Sequence, residues 1–110
     1  MIKEAHFEGL NHIAAVACCD AQLHGLWDDI SDKNDGNERH YCARRCRDEA
    51  EEAMLSAGDA AHYREELADV VIMALSSAAY LGIDIGAEVC RKMRINRDRP
   101  YRHGKEEGSC

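Results

Sequence analysis

The sequence predicts an all-α fold, a four-helix bundle completed by oligomerisation, and three observations point there. Ala, Leu, Glu and Arg abound while aromatic residues make up 5% and proline occurs once, a mixture that favours helices over strands. Apolar residues recur at helical spacing in four stretches. Polar or glycine-containing segments separate those stretches. At 110 residues there is room for one domain, 1–110, with a core over about 7–97 and a basic tail over 98–110. Helical domains this small often cover their apolar faces by assembling with copies of themselves.

The first helix is expected from about Phe7 to about Trp27. Leu10, Ile13, Ala14, Ala17 and Ala21 form its stripe, with Val16, Leu23 and Trp27 beside it. Asp28 to Glu38 is polar, contains the turn pair Asp35-Gly36, and reads as a loop. The second helix should cover roughly Glu38 to Ala57, with Gly58 just past its end and Cys46, Ala50, Ala53, Met54 and Ala57 facing inward. Asp59 is the expected cap of a third helix that runs to Leu81 and stops at Gly82. Leu67, Val71, Ala74, Leu75, Ala78 and Leu81 give this third helix a broad stripe, which Val70, Ile72 and Met73 widen further. It is therefore expected at the centre of the bundle. Asp84 caps a fourth helix from Ile85 to about Asn96, with Val89 and Met93 inward, and Pro100 disfavours helix at Arg99.

Charge is unevenly distributed. Residues 1–90 carry 18 acids against 7 bases, whereas residues 91–110 carry 7 bases against 3 acids. An acidic body argues against binding a nucleic-acid polymer. The basic end suits a small polyanion held through metal ions, although a solvated tail balancing an acidic body would look the same. The six cysteines form no Cys-x-x-Cys pair, and His40, Cys42 and Cys46 are not at a usual zinc spacing. The N-terminus MIKEAHFEG is too polar for a signal peptide, and Val70 to Leu81 is too short to span a bilayer. The expectation is a reduced cytoplasmic protein, with no membrane association and with buried or spectator thiols.

The residues that point to chemistry are two acidic pairs, Glu49-x-x-Glu52 and Glu66-x-x-Asp69, on consecutive helices. Residues three apart share a helix face, so four carboxylates on facing helices can converge on hard cations such as Mg²⁺. One such pair alone reads more simply as solvated surface acids with Arg45 and Arg47 as local partners. Two pairs, one of them in the most apolar helix, leave surface acids and a metal centre as open alternatives. On the first helix, Trp27 can stack on a base and His24 can hydrogen-bond its edge; a core tryptophan and a surface histidine are the plainer reading.

These motifs resemble those of the MazG-like all-α nucleoside triphosphate pyrophosphohydrolases. The family pattern is EExxE, a spacer, then ExxD. Here Asp48-Glu49-Ala50-Glu51-Glu52 is followed, after thirteen residues, by Glu66-Leu67-Ala68-Asp69. The stretch EELADVVIMALSSAAYLGIDI, from Glu65 to Ile85, resembles the family's third helix and turn. KMRINRDRPYRHGK, from Lys92 to Lys105, resembles its Lys-x-x-x-Asn segment and basic extension. Asp48 departs conservatively from the pattern, and the first helix matches only loosely.

The resemblance implies a MazG-like bundle, a homodimer or homotetramer. It would hydrolyse a nucleoside triphosphate to the monophosphate and pyrophosphate with Mg²⁺, or Mn²⁺ in its place. Glu49, Glu52, Glu66 and Asp69 would hold the metal, with Glu49 or Glu52 taking the proton of the attacking water. Lys92 and Asn96 match positions that contact phosphate and sugar, and Arg99, Arg102 and Lys105 would screen the leaving pyrophosphate. Two alternatives come with it: a catalytically silent acidic module acting through protein contacts, and a relative that cleaves phosphoribosyl-ATP.

Overall fold

The computed structural model describes residues 1–28, 30 and 37–100. These residues are all-α, without a strand. A 3₁₀ turn over Glu4–Phe7 leads into α1 (Glu8–Leu23), followed by α2 (Glu38–Leu55), α3 (Ala60–Tyr80) and α4 (Ile85–Asp98).

Local chemistry accounts for most of the helix ends. Asn37, Asp59 and Asp84 each accept a hydrogen bond from a backbone N–H of the first turn that follows, at His40, His62 and Ala87, so three helices begin with a side-chain cap. Gly82 takes φ +72° just past α3, as expected of a residue that ends a helix in the left-handed conformation. Two ends differ from the sequence expectation. α1 stops at Leu23 rather than near Trp27, because Gly25 at φ +77° turns the chain back on itself. α2 stops at Leu55 with Ser56 as its cap residue, whose hydroxyl donates to the Glu52 carbonyl at 2.9 Å. Gly58 takes no left-handed role there. The Asp35-Gly36 turn lies outside the described residues.

α3 is the central helix, packing against α1 on one side and α2 on another. Between α3 and α4 the chain bends by 115°, and α4 lies against α1 and the 3₁₀ turn without contacting α2. The core gathers Trp27, Ile30, Tyr41, Cys42 and Met73, with Cys18, Ala21, Leu26, Cys46, Tyr80 and Leu81 packed around them.

The apolar stripes are only half covered. On α3, Leu75 and Ala78 are buried but Leu67, Val71 and Ile72 are about half exposed, as are Ile13 and Val16 on α1. The expected inward face of α2 holds at Cys46 and Ala53 and fails at Ala50, Met54 and Ala57, which are exposed. Met93 of α4 also faces solvent. The reason is topological: two neighbours cover two sides of a helix that is apolar around most of its circumference. No single helix among the described residues is long and apolar enough to cross a membrane.

Candidate metal centre

α2 and α3 pack side by side, and their contact brings three glutamates together. One carboxylate oxygen from each of Glu49, Glu52 and Glu66 lies within 4.8 Å of the others. Glu49 and Glu66 are half-buried, while Glu52 opens the group to solvent. Asp69 sits one turn further along α3 with a side chain one methylene shorter, and stands outside this group. Its charge still reaches Glu49.

The electrostatics of the group are unfavourable without a cation. Burial, then the charges of Glu52 and Asp69 and a hydrogen bond with Glu52, push the Glu49 carboxyl above its ordinary value; Arg45, one turn earlier on α2, pulls it back. Glu66 has a side chain only 16% exposed, and its Oε2 is buried without a hydrogen-bond partner. A carboxylate oxygen left in that state is costly unless something positive meets it. Oxygen donors of this number and hardness suit Mg²⁺ or Mn²⁺. Burial with no partner, convergence from two helices and donor chemistry all fit such an ion.

Two of the acids left out of the group have other partners. Asp48 is held by Arg44 at 3.7 Å and Arg47 at 3.4 Å, and Glu51 lies 3.6 Å from Arg47. Glu65 is exposed while its neighbour Glu66 is half-buried. Sequence reasoning missed the histidine beside the group: His62 Nε2 lies 3.1 Å from Glu66 Oε1. Its i, i+4 spacing to Glu66 was the available signal.

The remaining candidate residues are dispersed. Lys92 and Asn96 are exposed on α4, which does not touch α2. Arg99 is exposed at the end of α4, and Arg102 and Lys105 lie outside the described residues. His24 is exposed at the end of α1, its Nδ1 2.8 Å from the Asp20 carbonyl. Trp27 is in the core instead, stacked on Tyr80. Clefts of about 250 and 410 Å³ flank the 3₁₀ turn and α4, and neither is lined by a glutamate of the group. Burial raises the Cys18, Cys42 and Cys46 thiols above their ordinary value, which favours their protonated form.

No family model matches the chain, and no solved structure matches it. Over 47 residues, 43% of this chain, it is 45% identical to a dATP/dGTP diphosphohydrolase of Cyanophage S-2L. The match covers 45% of that relative, less than half its length. The chain is thus partly homologous to a nucleotide diphosphohydrolase, in line with the resemblance carried by its acidic motifs.

Proposed function

We propose that this protein hydrolyses a nucleoside triphosphate to the monophosphate and pyrophosphate, using Mg²⁺ or Mn²⁺ held by Glu49, Glu52 and Glu66 with Asp69 beside them. The observation that carries this reading is the convergence of three carboxylates, one of which, Glu66, keeps a buried oxygen without a hydrogen-bond partner. The partial relative supports the reaction class, and the activity it is named for makes dATP and dGTP the first substrates to test.

A divalent cation bound there supplies neutralisation of phosphate charge and acidification of a water. The chain's own acids divide the rest of the work. Glu66 is fixed by its surroundings and acts as a ligand. Glu49 or Glu52, the two acids of α2 in the group, takes the water's proton. Arg45 limits the negative charge that builds up around Glu49.

Lys92 and Asn96 meet the phosphates and sugar in this reading, and within one chain α4 does not touch α2. A second copy of the chain completes the site, bringing its α4 over the α2–α3 face. The half-exposed Ile13, Val16, Leu67, Val71 and Ile72 offer the apolar surface for that contact. Stable interfaces remove about 1,200–2,000 Å² from solvent in total.

The test is a panel of common and modified nucleoside triphosphates incubated with the protein and Mg²⁺, with pyrophosphate and monophosphate both measured. Equimolar release that stops on adding a chelator is expected. No release from any nucleotide at high protein concentration, with either Mg²⁺ or Mn²⁺, would favour a binding module instead.

A further inference from the structure

The hydrogen bond between His62 and Glu66 divides the two oxygens of the Glu66 carboxylate. Oε1 lies 3.1 Å from His62 Nε2, whereas Oε2 is buried and has no partner. A carboxylate oxygen accepts, so Nε2 carries the hydrogen and donates it. His62 is itself held from behind: its backbone N–H donates to Asp59 Oδ1 at 3.2 Å, which fixes the first turn of α3. The capped first turn thus fixes the backbone from which the His62 ring reaches one oxygen of a half-buried glutamate.

We propose that His62 is a positioning residue that holds Glu66 by Oε1 and so leaves Oε2 as the oxygen offered to a divalent cation shared with Glu49 and Glu52. The inference rests on the reading of the three glutamates as a metal centre.

A free glutamate has three torsions to order when it binds an ion, and a fixed donor on its other oxygen restricts them beforehand. Such a donor also settles which oxygen points at the ion and strengthens the orientation of the ligand. An ordinary i, i+4 helix pair does neither, because both partners lie in solvent and exchange with water. This pair differs on the glutamate side. The His62 side chain is 55% exposed but that of Glu66 is only 16% exposed, so its carboxylate has little water to turn to.

Mn²⁺ binding to the metal-free protein, followed by electron paramagnetic resonance without nucleotide, tests this independently of catalysis. Wild type, His62→Ala, His62→Gln and Glu66→Gln are compared. His62→Ala is expected to weaken Mn²⁺ binding by about tenfold or more, the usual effect of removing such a partner. His62→Gln keeps an N–H donor at similar reach and should recover most of the affinity, while Glu66→Gln should lose more than either. The thermal midpoint of the metal-free His62→Ala protein should stay near that of wild type. Should His62→Ala not fold, His62→Asn, too short to reach Glu66, takes its place. Equal Mn²⁺ affinity in wild type and His62→Ala would overturn the positioning role and leave the metal centre standing. A wild type that binds no Mn²⁺, or binds it as well after Glu66→Gln, would overturn the metal centre and this inference with it.

Discussion

Trp27 and Tyr80 stack nearly face to face, their ring centroids 4.4 Å apart and their planes 17° from parallel. The pair joins the turn after α1 to the last residue of α3. Tyr80 also donates its hydroxyl to Glu38 Oε2 at 2.9 Å, and Tyr41 on α2 donates to the Leu26 carbonyl at 2.8 Å. Three helices are tied at one end, and the glutamates are brought together further along α2 and α3. Trp27→Ala should cost about 3–5 kcal/mol by urea denaturation, the range for removing a buried large aromatic. Tyr80→Phe removes only the exposed hydrogen bond and should cost about 0.5–1.5 kcal/mol.

The 3₁₀ turn is seated on α4 through Gly86. A Cβ added there would lie 2.7 Å from the Phe7 carbonyl oxygen, a backbone atom that has little room to retreat. The Gly86 N–H donates to Asn11 Oδ1 at 3.0 Å, and Asn11 Nδ2 donates to Asp84 Oδ1 at 2.7 Å. Gly86→Ala should therefore destabilise the protein by about 1–3 kcal/mol, as overpacking does. Gly58→Ala, with nothing within 4 Å of the added carbon, is the matched control and should not destabilise. Thermal melts of the two variants decide it.

Burial of Glu49, reinforced by the charges of Glu52 and Asp69, gives the metal-free protein a definite pH response. The Glu49 carboxyl lies above its ordinary value of 4.5 when folded, so the folded state keeps that proton longer than the unfolded chain does. Its stabilising contribution is present at low pH and is lost as pH rises above 4.5. Wild type compared with Glu49→Gln should accordingly lose stability across that window. Mg²⁺ at neutral pH should reverse the loss in wild type, adding about 2.7 kcal/mol at a hundred times its dissociation constant.

The proposed sharing of sites between two copies predicts complementation. Glu52→Gln alone and the double variant Lys92→Ala/Asn96→Ala alone should each be nearly inactive. Mixed and reassociated, they should regain up to about a quarter of wild-type activity, because half of a random mixture is mixed dimers carrying one intact site each. A mixture no more active than its parents would place all the site residues in one chain.

The sequence made some of this legible because the causes are local. Asp59 and Asp84 are recognisable caps because the bond each accepts comes from a backbone N–H three residues on. Gly82 ends α3 for an equally local reason. What was hidden depends on distant partners. Nothing near Trp27 announces Tyr80, and nothing near Asn11 announces Gly86. The apolar stripe of α3 was visible, but which part of it a neighbour covers was not, so Leu67 and Val71 were expected inside and are half exposed. Among the acids, spacing gave four candidates, while helix packing and side-chain length brought three of them within 4.8 Å.

The most direct test of the central claim is pyrophosphate release from a nucleoside triphosphate with Mg²⁺, measured for wild type beside Glu52→Gln. Equimolar pyrophosphate and monophosphate from wild type are predicted, with a loss of about 100-fold or more when one oxygen ligand of the cation is removed. Equal release by both proteins, or stepwise loss of single phosphates, would contradict the three-glutamate account.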